Sequence, residues 1–285
     1  MDRSKICVLT GATSGIGWEV AHQMAKKGYV LKVVGRSEKK GEALRKSLKR
    51  MHGEVDFEYF VADLSTIKNI KEVAAKINSS VDHIDALINN AGGVFSNFEL
   101  TEDGIEKTMA NNHLSYFVLT HQLLDKLKAA DEARLLLVAS KSHFRVGLDF
   151  ETFTQKKKYN IMKAYAQSKL ANVMFGYKLT RYLKDTNVST FIIHPGVVRT
   201  PIGSKSDHWL HRTVWSLFAK FMYNTTPEES AKNYVYLATE KESRAHNGFY
   251  FSAGLIEKSS DLSYDEKLQD KLWSWSEEVS GVKYE

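Results

Sequence analysis

Residues 10–28 read TGATSGIGWEVAHQMAKKG, with Gly11, Gly15 and Gly17 set between an apolar run (KICVL, 5–9) and an amphipathic segment. Glycines at such a junction let the chain turn tightly and let its backbone approach a pyrophosphate lying on the N-terminus of the next helix. The G-x-x-x-G-x-G spacing departs from the common G-x-G-x-x-G fingerprint and is weak alone. Its position between a first strand and a first helix is what points to a dinucleotide.

Outward from that stretch, short β-branched runs recur as YVLKVVG near 29, VDFEYFVA near 55, DALINN near 85, ARLLLVAS near 133, VSTFIIH near 188 and GFYFSAG near 248. Segments of helical spacing separate them: Val20 and Met24, then Leu44, Leu48 and Met51, then Ile67, Ile70, Val73, Ala74 and Ile77. Alternating strand and helix predict an α/β fold, a Rossmann-type doubly wound parallel sheet of about seven strands with helices on both faces. The prolines, Pro195, Pro201 and Pro227, all fall in the last third, and Pro227 with Glu228 and Glu229 reads as a helix start. No repeat or linker interrupts the chain, so 1–285 is expected to be one domain, with 201–226 as an insertion over the substrate. Tyr264, Leu268, Leu272, Trp275 and Val279 predict a C-terminal helix.

Composition excludes other classes. In 285 residues, 43% are hydrophobic and 26% charged, an ordinary globular balance. The net charge of +6 comes with acids interleaved among the bases, as in EKKGEALRKSLKR (38–50), which reads as a solvated helix face and not a nucleic-acid stripe. Cys7 is the sole cysteine, so a disulfide framework is ruled out and a reducing, cytoplasmic setting is expected. No apolar stretch approaches the roughly 20 residues of a spanning helix. His208 and His211 lack partners at ligand spacing beyond Asp207, so no metal site is expected.

Taken in order, Thr10 to Gly17, Asp63, Asn89-Asn90-Ala91-Gly92, Asn112, Ser140, Tyr165 with Lys169, and Pro195-Gly196 resemble the short-chain dehydrogenase/reductase family over nearly the whole chain. The SKLAN run (168–172), Asn112-His113-Leu114, His143, TPEESA (226–231) and GFYF (248–251) resemble its retinol dehydrogenase and WW-domain oxidoreductase branch. The resemblance implies nicotinamide cofactor contacts from Thr10, Gly11, Thr13, Ser14, Gly15, Ile16, Gly17, Asp63, Leu64, Asn90, Ala91, Gly92, Tyr165, Lys169, Pro195, Gly196, Val198 and Thr200. At the end of the second strand stand Gly35-Arg36-Ser37, with no carboxylate to accept a ribose. A guanidinium there suits a 2′-phosphate, so NADP(H) is expected, with Arg36 the chief determinant and Ser37 beside it.

The resemblance implies that Tyr165 is the general acid/base, that Ser140 hydrogen-bonds the substrate oxygen and that Asn112 completes a proton relay through water and Lys169. A free phenol has a pKa of about 10, and Lys169, one helical turn on, is expected to favour the phenolate. Tyr159 and Lys163 repeat the Y-x-x-x-K spacing, but only the second pair carries the family's Y-x-x-S-K-x-A-N run. His143 is given no catalytic role.

Leu210, Val214, Leu217, Phe218, Phe221 and Met222 form an apolar helical stripe, which argues for a hydrophobic carbonyl or alcohol substrate. Packing on the core competes with that reading, and peripheral membrane contact is less favoured. The resemblance implies assembly into a homo-oligomer through helices flanking the sheet. The expected activity is reduction of aldehydes or ketones, retinoid-, steroid- or lipid-like. The alternative is a weakly active NADPH-sensing protein or scaffold.

Overall fold

Each apolar run becomes a strand, and the pairing explains why the runs are apolar on both faces. The computed structural model describes residues 3–156, 159–196 and 225–284. At the centre, β1 (Ile6–Thr10) pairs in parallel with β2 (Val30–Gly35) and β4 (Ala86–Asn89). Outside β2 lies β3 (Phe57–Val61), and beyond β4 follow β5 (Ala133–Val138), β6 (Val188–His194) and β7 (Tyr250–Ser252). Across the sheet the order so far is β3-β2-β1-β4-β5-β6-β7. Leu9, Leu87, Leu135 and Phe191 are fully buried, as strands covered on both faces require.

Seven strands were expected, and an eighth is present. Ala253, with φ +49°, and Gly254, with φ +88°, turn the chain back so that β8 (Leu255–Ile256) pairs antiparallel with β7. Two exposed residues are too few to show an alternating pattern, which is why the run went unread.

On one side α1 (Gly15–Lys26) packs against both α2 (Glu38–His52) and α8 (Pro227–Thr239). The second group contains α3 (Ile67–Ser80), α4 (Lys107–Met109), α5 (Ser115–Gln122), the short α6 (Leu124–Lys128) and α7 (Ile161–Tyr182). The strand order runs outward from β1 through β2 and from β4 through β5, so the chain reverses direction between β1 and β4 and leaves a crevice at their carboxyl ends. As expected, α8 starts at Pro227, and Thr226 and Glu229 close a reciprocal capping box.

The C-terminal helix is α9 (Glu266–Ser280). Leu272 is buried in an apolar cluster with Leu170 and Met174 of α7, and Leu268, Trp275 and Val279 pack on it. Tyr264 is the exception: it ends the turn ahead of the helix (Asp261–Tyr264) and stacks on Tyr177 at 4.9 Å. Of the expected insertion, 201–224 lie outside the described residues, as do Val198, Thr200, His208 and His211.

The helix α7 approaches β6 closely at Gly176, where an added Cβ would stand 2.4 Å from Ile192 Cγ1. Gly176→Ala is therefore expected to destabilise the fold by about 1–3 kcal/mol through overpacking. A thermal melt equal to that of the parent chain would contradict this packing.

Candidate active site

Two of the three loop glycines are required by protein packing. A Cβ on Gly11, at φ +74°, would lie 2.8 Å from Ala91 Cα, and one on Gly17 would lie 2.3 Å from the Gly11 carbonyl oxygen. The β1–α1 loop thus seats directly on the loop after β4. The buried hydroxyl of Thr10 accepts from the amides of Asn90 (3.0 Å) and Ala91 (2.9 Å). Asn90 Nδ2 returns two bonds, to the carbonyls of Thr10 (3.0 Å) and Gly11 (3.2 Å). Thr10 and Asn90 are accordingly clamps that hold the two loops in register.

The clamped loops border a cavity of about 300 Å³. Gly11, Thr13, Ser14, Gly15, Ile16 and Gly17 form one wall, Arg36 and Leu64 another, and Asn90, Ala91 and Gly92 a third. Ser14 precedes α1 with extended backbone but makes no side-chain cap, and no acidic residue stands in the first turn. The first amides of α1 are therefore left for an anion in the cavity. Arg36, exposed at the end of β2, makes no hydrogen bond or ion pair with a described residue.

Other expected contacts fall elsewhere. The Ser37 hydroxyl caps α2 by accepting from the Lys40 amide (3.4 Å), and the Asp63 carboxylate accepts from the Ser65 amide (3.0 Å). Neither lines the cavity. Gly196, at φ +86°, turns the chain after β6, and the Pro195 carbonyl accepts from Ser230 Oγ of α8 (2.9 Å). Sequence reading missed Gly93, Val94, Phe95, Ser96, Glu99 and Asn111, which all line the cavity. The doubled glycine Gly92-Gly93 was the available signal.

Asn112 lies in a π-helical turn (Ala110–Leu114) between α4 and α5. Such turns shift side chains out of α-helical register and recur at functional sites. Its Nδ2 donates to the Gly93 carbonyl (2.9 Å) and to Ser168 Oγ (3.0 Å). Its Oδ1 accepts from the Gly93 amide (2.8 Å) and from Asn111 Nδ2 (3.0 Å). All four valences of the amide are used, so no side-chain valence is free for the expected relay. What Asn112 does is tie the cavity wall at Gly93 to α7, where Ser168 Oγ donates to the Tyr165 carbonyl (2.8 Å).

Ser140 stands two residues beyond β5 and caps the turn Lys141–Arg145, and its hydroxyl bears on the ionisation of the partly buried Tyr165 phenol. Burial pushes the Tyr165 pKa above its ordinary value, and the Ser140 contact pulls it down by less. Lys169 is not among the groups that shift the phenol. Lys169 is 3% exposed, and its ammonium donates to the Val138 carbonyl (3.0 Å), with Nζ 5.7 Å from the centroid of the Tyr165 ring. Desolvation, with no carboxylate partner among the described residues, lowers the Lys169 pKa to about 7. Burial thus disfavours the charged form of both groups, raising the phenol and lowering the ammonium.

The Tyr159–Lys163 pair is arranged differently. The Tyr159 hydroxyl lies 3.0 Å from the Phe95 carbonyl and 3.2 Å from Glu106 Oε1. Burial pushes its pKa well up, and Lys163 turns away to Asp149 (3.2 Å). The buried carboxylate of Glu106 also accepts from the amides of Thr108 and Met109, both at 2.9 Å. Tyr159 therefore braces the cavity loop at Phe95 against the start of the segment that carries Asn112.

The family of short chain dehydrogenases matches residues 5–211. The chain belongs to that family and to its retinol dehydrogenase branch. It is 35% identical over 287 residues to retinol dehydrogenase 13 of Homo sapiens, spanning 98% of this chain and 85% of that protein. Retinol dehydrogenase 11 of Homo sapiens is 33% identical over 278 residues, 98% and 86% of the two chains. A crystal structure of a short chain dehydrogenase from Shigella flexneri 2a complexed with NADP superposes with a TM-score of 0.69 at 23% identity. That match covers 88% of this chain and 97% of the other, and establishes the shared fold. The chain is thus a Rossmann-type oxidoreductase of this family.

Lys169 is held at a cost to the fold. The unfolded chain binds its proton up to a pKa near 10.5, the folded chain only to about 7. Between those values the unfolded state carries more protons, so this group makes stability rise with pH and fall again as pH drops toward 7. Lys169→Met is expected to abolish turnover yet melt no lower than the parent at pH 7. A melting temperature several degrees lower would show that the amine stabilises the fold.

Proposed function

We propose that the chain is an NADP(H)-dependent oxidoreductase acting between hydrophobic carbonyl compounds and their alcohols. The observation that carries this reading is the grouping of Ser140 and Tyr165 with buried Lys169, near a cavity that holds the uncapped N-terminus of α1 and an Arg36 with no partner among the described residues. These residues suit the cofactor: the amides of α1 for the pyrophosphate, and the Arg36 guanidinium for a 2′-phosphate at a corner without a carboxylate. Bound NADPH supplies the hydride that reduces the carbonyl carbon.

The chain's own groups manage the oxygen. The Ser140 hydroxyl donates a hydrogen bond to it, and Tyr165, protonated at neutral pH, gives it a proton as negative charge develops. Reversal requires the phenolate, so alcohol oxidation should gain rate as pH rises through the alkaline range while carbonyl reduction does not. Hydrophobicity of the substrate rests on the relatives named retinol dehydrogenases and on the apolar stripe from Leu210 to Met222.

Two measurements test the proposal. NADPH consumption should respond to a panel of retinoid, steroid and long-chain aldehydes and ketones, and Tyr165→Phe should lower kcat by about 100-fold or more. Arg36→Asp should weaken NADPH binding by roughly 10- to 100-fold, the loss of a charge-assisted bond, while sparing NADH. An unchanged NADPH Kd would remove Arg36 as the determinant. Tight NADPH binding without turnover of any carbonyl would favour the cofactor-sensing alternative.

A further inference from the structure

We propose that His143 is a positioning residue, one that fixes the aim of the Ser140 hydroxyl by tying the Ser140 peptide to the C-terminal segment. The proposal rests on the carbonyl-reducing function given above. The His143 side chain is fully buried, with Nδ1 2.6 Å from the Ser140 carbonyl oxygen and Nε2 3.1 Å from the Ser260 amide nitrogen. A carbonyl only accepts and an amide N–H only donates, so the two partners dictate one state of the ring. The proton sits on Nδ1 and points at Ser140, while Nε2 stays bare and accepts from Ser260. A cation or the other tautomer would set N–H against N–H. The Tyr250 ring holds the imidazole edge-on at 5.2 Å, and Phe144 lies against it at 4.2 Å.

At Ser140 the consequence is direct. Its carbonyl accepts from both the backbone amide of His143 (3.1 Å) and Nδ1, which fills both lone pairs and fixes the orientation of the peptide. Its hydroxyl accepts from the Ser142 amide (3.3 Å), which leaves the one hydroxyl proton to be aimed toward Tyr165 or a substrate oxygen. On the far side, the Ser260 carbonyl accepts from Ser263 Oγ (2.6 Å), and the Ser263 carbonyl accepts from Gln269 Nε2 of α9 (2.7 Å). A chain of polar contacts therefore runs from the start of the C-terminal helix to the reacting serine, and His143 is its middle member.

Three substitutions separate this from general packing. The amide of asparagine reaches the place of Nδ1, and that of glutamine the place of Nε2. His143→Asn keeps the donor to Ser140 and should recover kcat to within about threefold, whereas His143→Gln and His143→Leu should lose kcat by roughly 10- to 100-fold, the effect of a misplaced reacting group. NADPH Kd should stay constant across the series, and the Asn and Gln proteins should melt together. Nitrogen NMR of the imidazole should place the proton on Nδ1. A Gln or Leu variant with the parent's kcat, losses that follow melting temperature alone, or a proton on Nε2 would overturn the proposal. If the parent chain itself turns over no carbonyl, the proposed function fails, and the imidazole spectrum still decides the tautomer.

Discussion

Lys169 is an amine placed where an amine is hard to keep charged. It is 3% exposed, donates to the carbonyl of Val138, and has no carboxylate within ion-pair distance among the described residues. Moving a cation from water into such a setting is costly unless a counter-charge accompanies it, and here burial pulls the pKa of the group well down. The fold tolerates this because the rest of α7 is anchored independently. Leu170 and Met174 pack with Leu272 of α9, and Asn172 Nδ2 bridges the carbonyls of Asn112 and Val138. Ionisable groups pushed from their ordinary range by burial cluster at functional sites, and Lys169 and Tyr165 are two such groups.

Around that pair the site is built from saturated polar links. Thr10 and Asn90 lock the β1 and β4 loops together, Asn112 locks Gly93 to α7, and Glu106 with Tyr159 locks Phe95 to the turn before Asn112. His113, adjacent to Asn112 and fully buried, lies 3.0 Å from Ser276 of α9 and has its pKa lowered to about 4, so it acts there as a neutral hydrogen-bonding group. Buried networks of this kind rigidify when every member is satisfied, which is what a site needs to hold reacting groups at fixed angles. The cavity loops have little room to shift without breaking several bonds at once.

Much of this was legible in the residues alone. Strand runs between helical segments predicted the parallel sheet because burial on both faces leaves continuous apolar stretches, and the glycine loop stood at the one junction where the strand order reverses. The Tyr165 pair was distinguished from the Tyr159 pair by the residues between and beyond them, and only coordinates could show that Tyr159 serves as a brace. What stayed hidden depends on three-dimensional partners. The strand at Leu255 is too short to carry a pattern. Thr10 and Ser37 spend their hydroxyls on the protein's own amides, which motif reading cannot foresee. The spacing of Tyr165 and Lys169 suggested that a cation would acidify the phenol. In the chain described here burial acts on both groups as well, raising the phenol and lowering the amine.

The most direct test is therefore the ionisation of Tyr165 itself. Carbon NMR of ring-labelled tyrosine, assigned with Tyr165→Phe and followed against pH in the cofactor-free chain, would read the phenol alone. The account predicts that it stays protonated through neutrality and titrates above the ordinary tyrosine value of about 10. A phenol that ionises near pH 7 would mean that Lys169, and not burial, governs it, and would contradict the account.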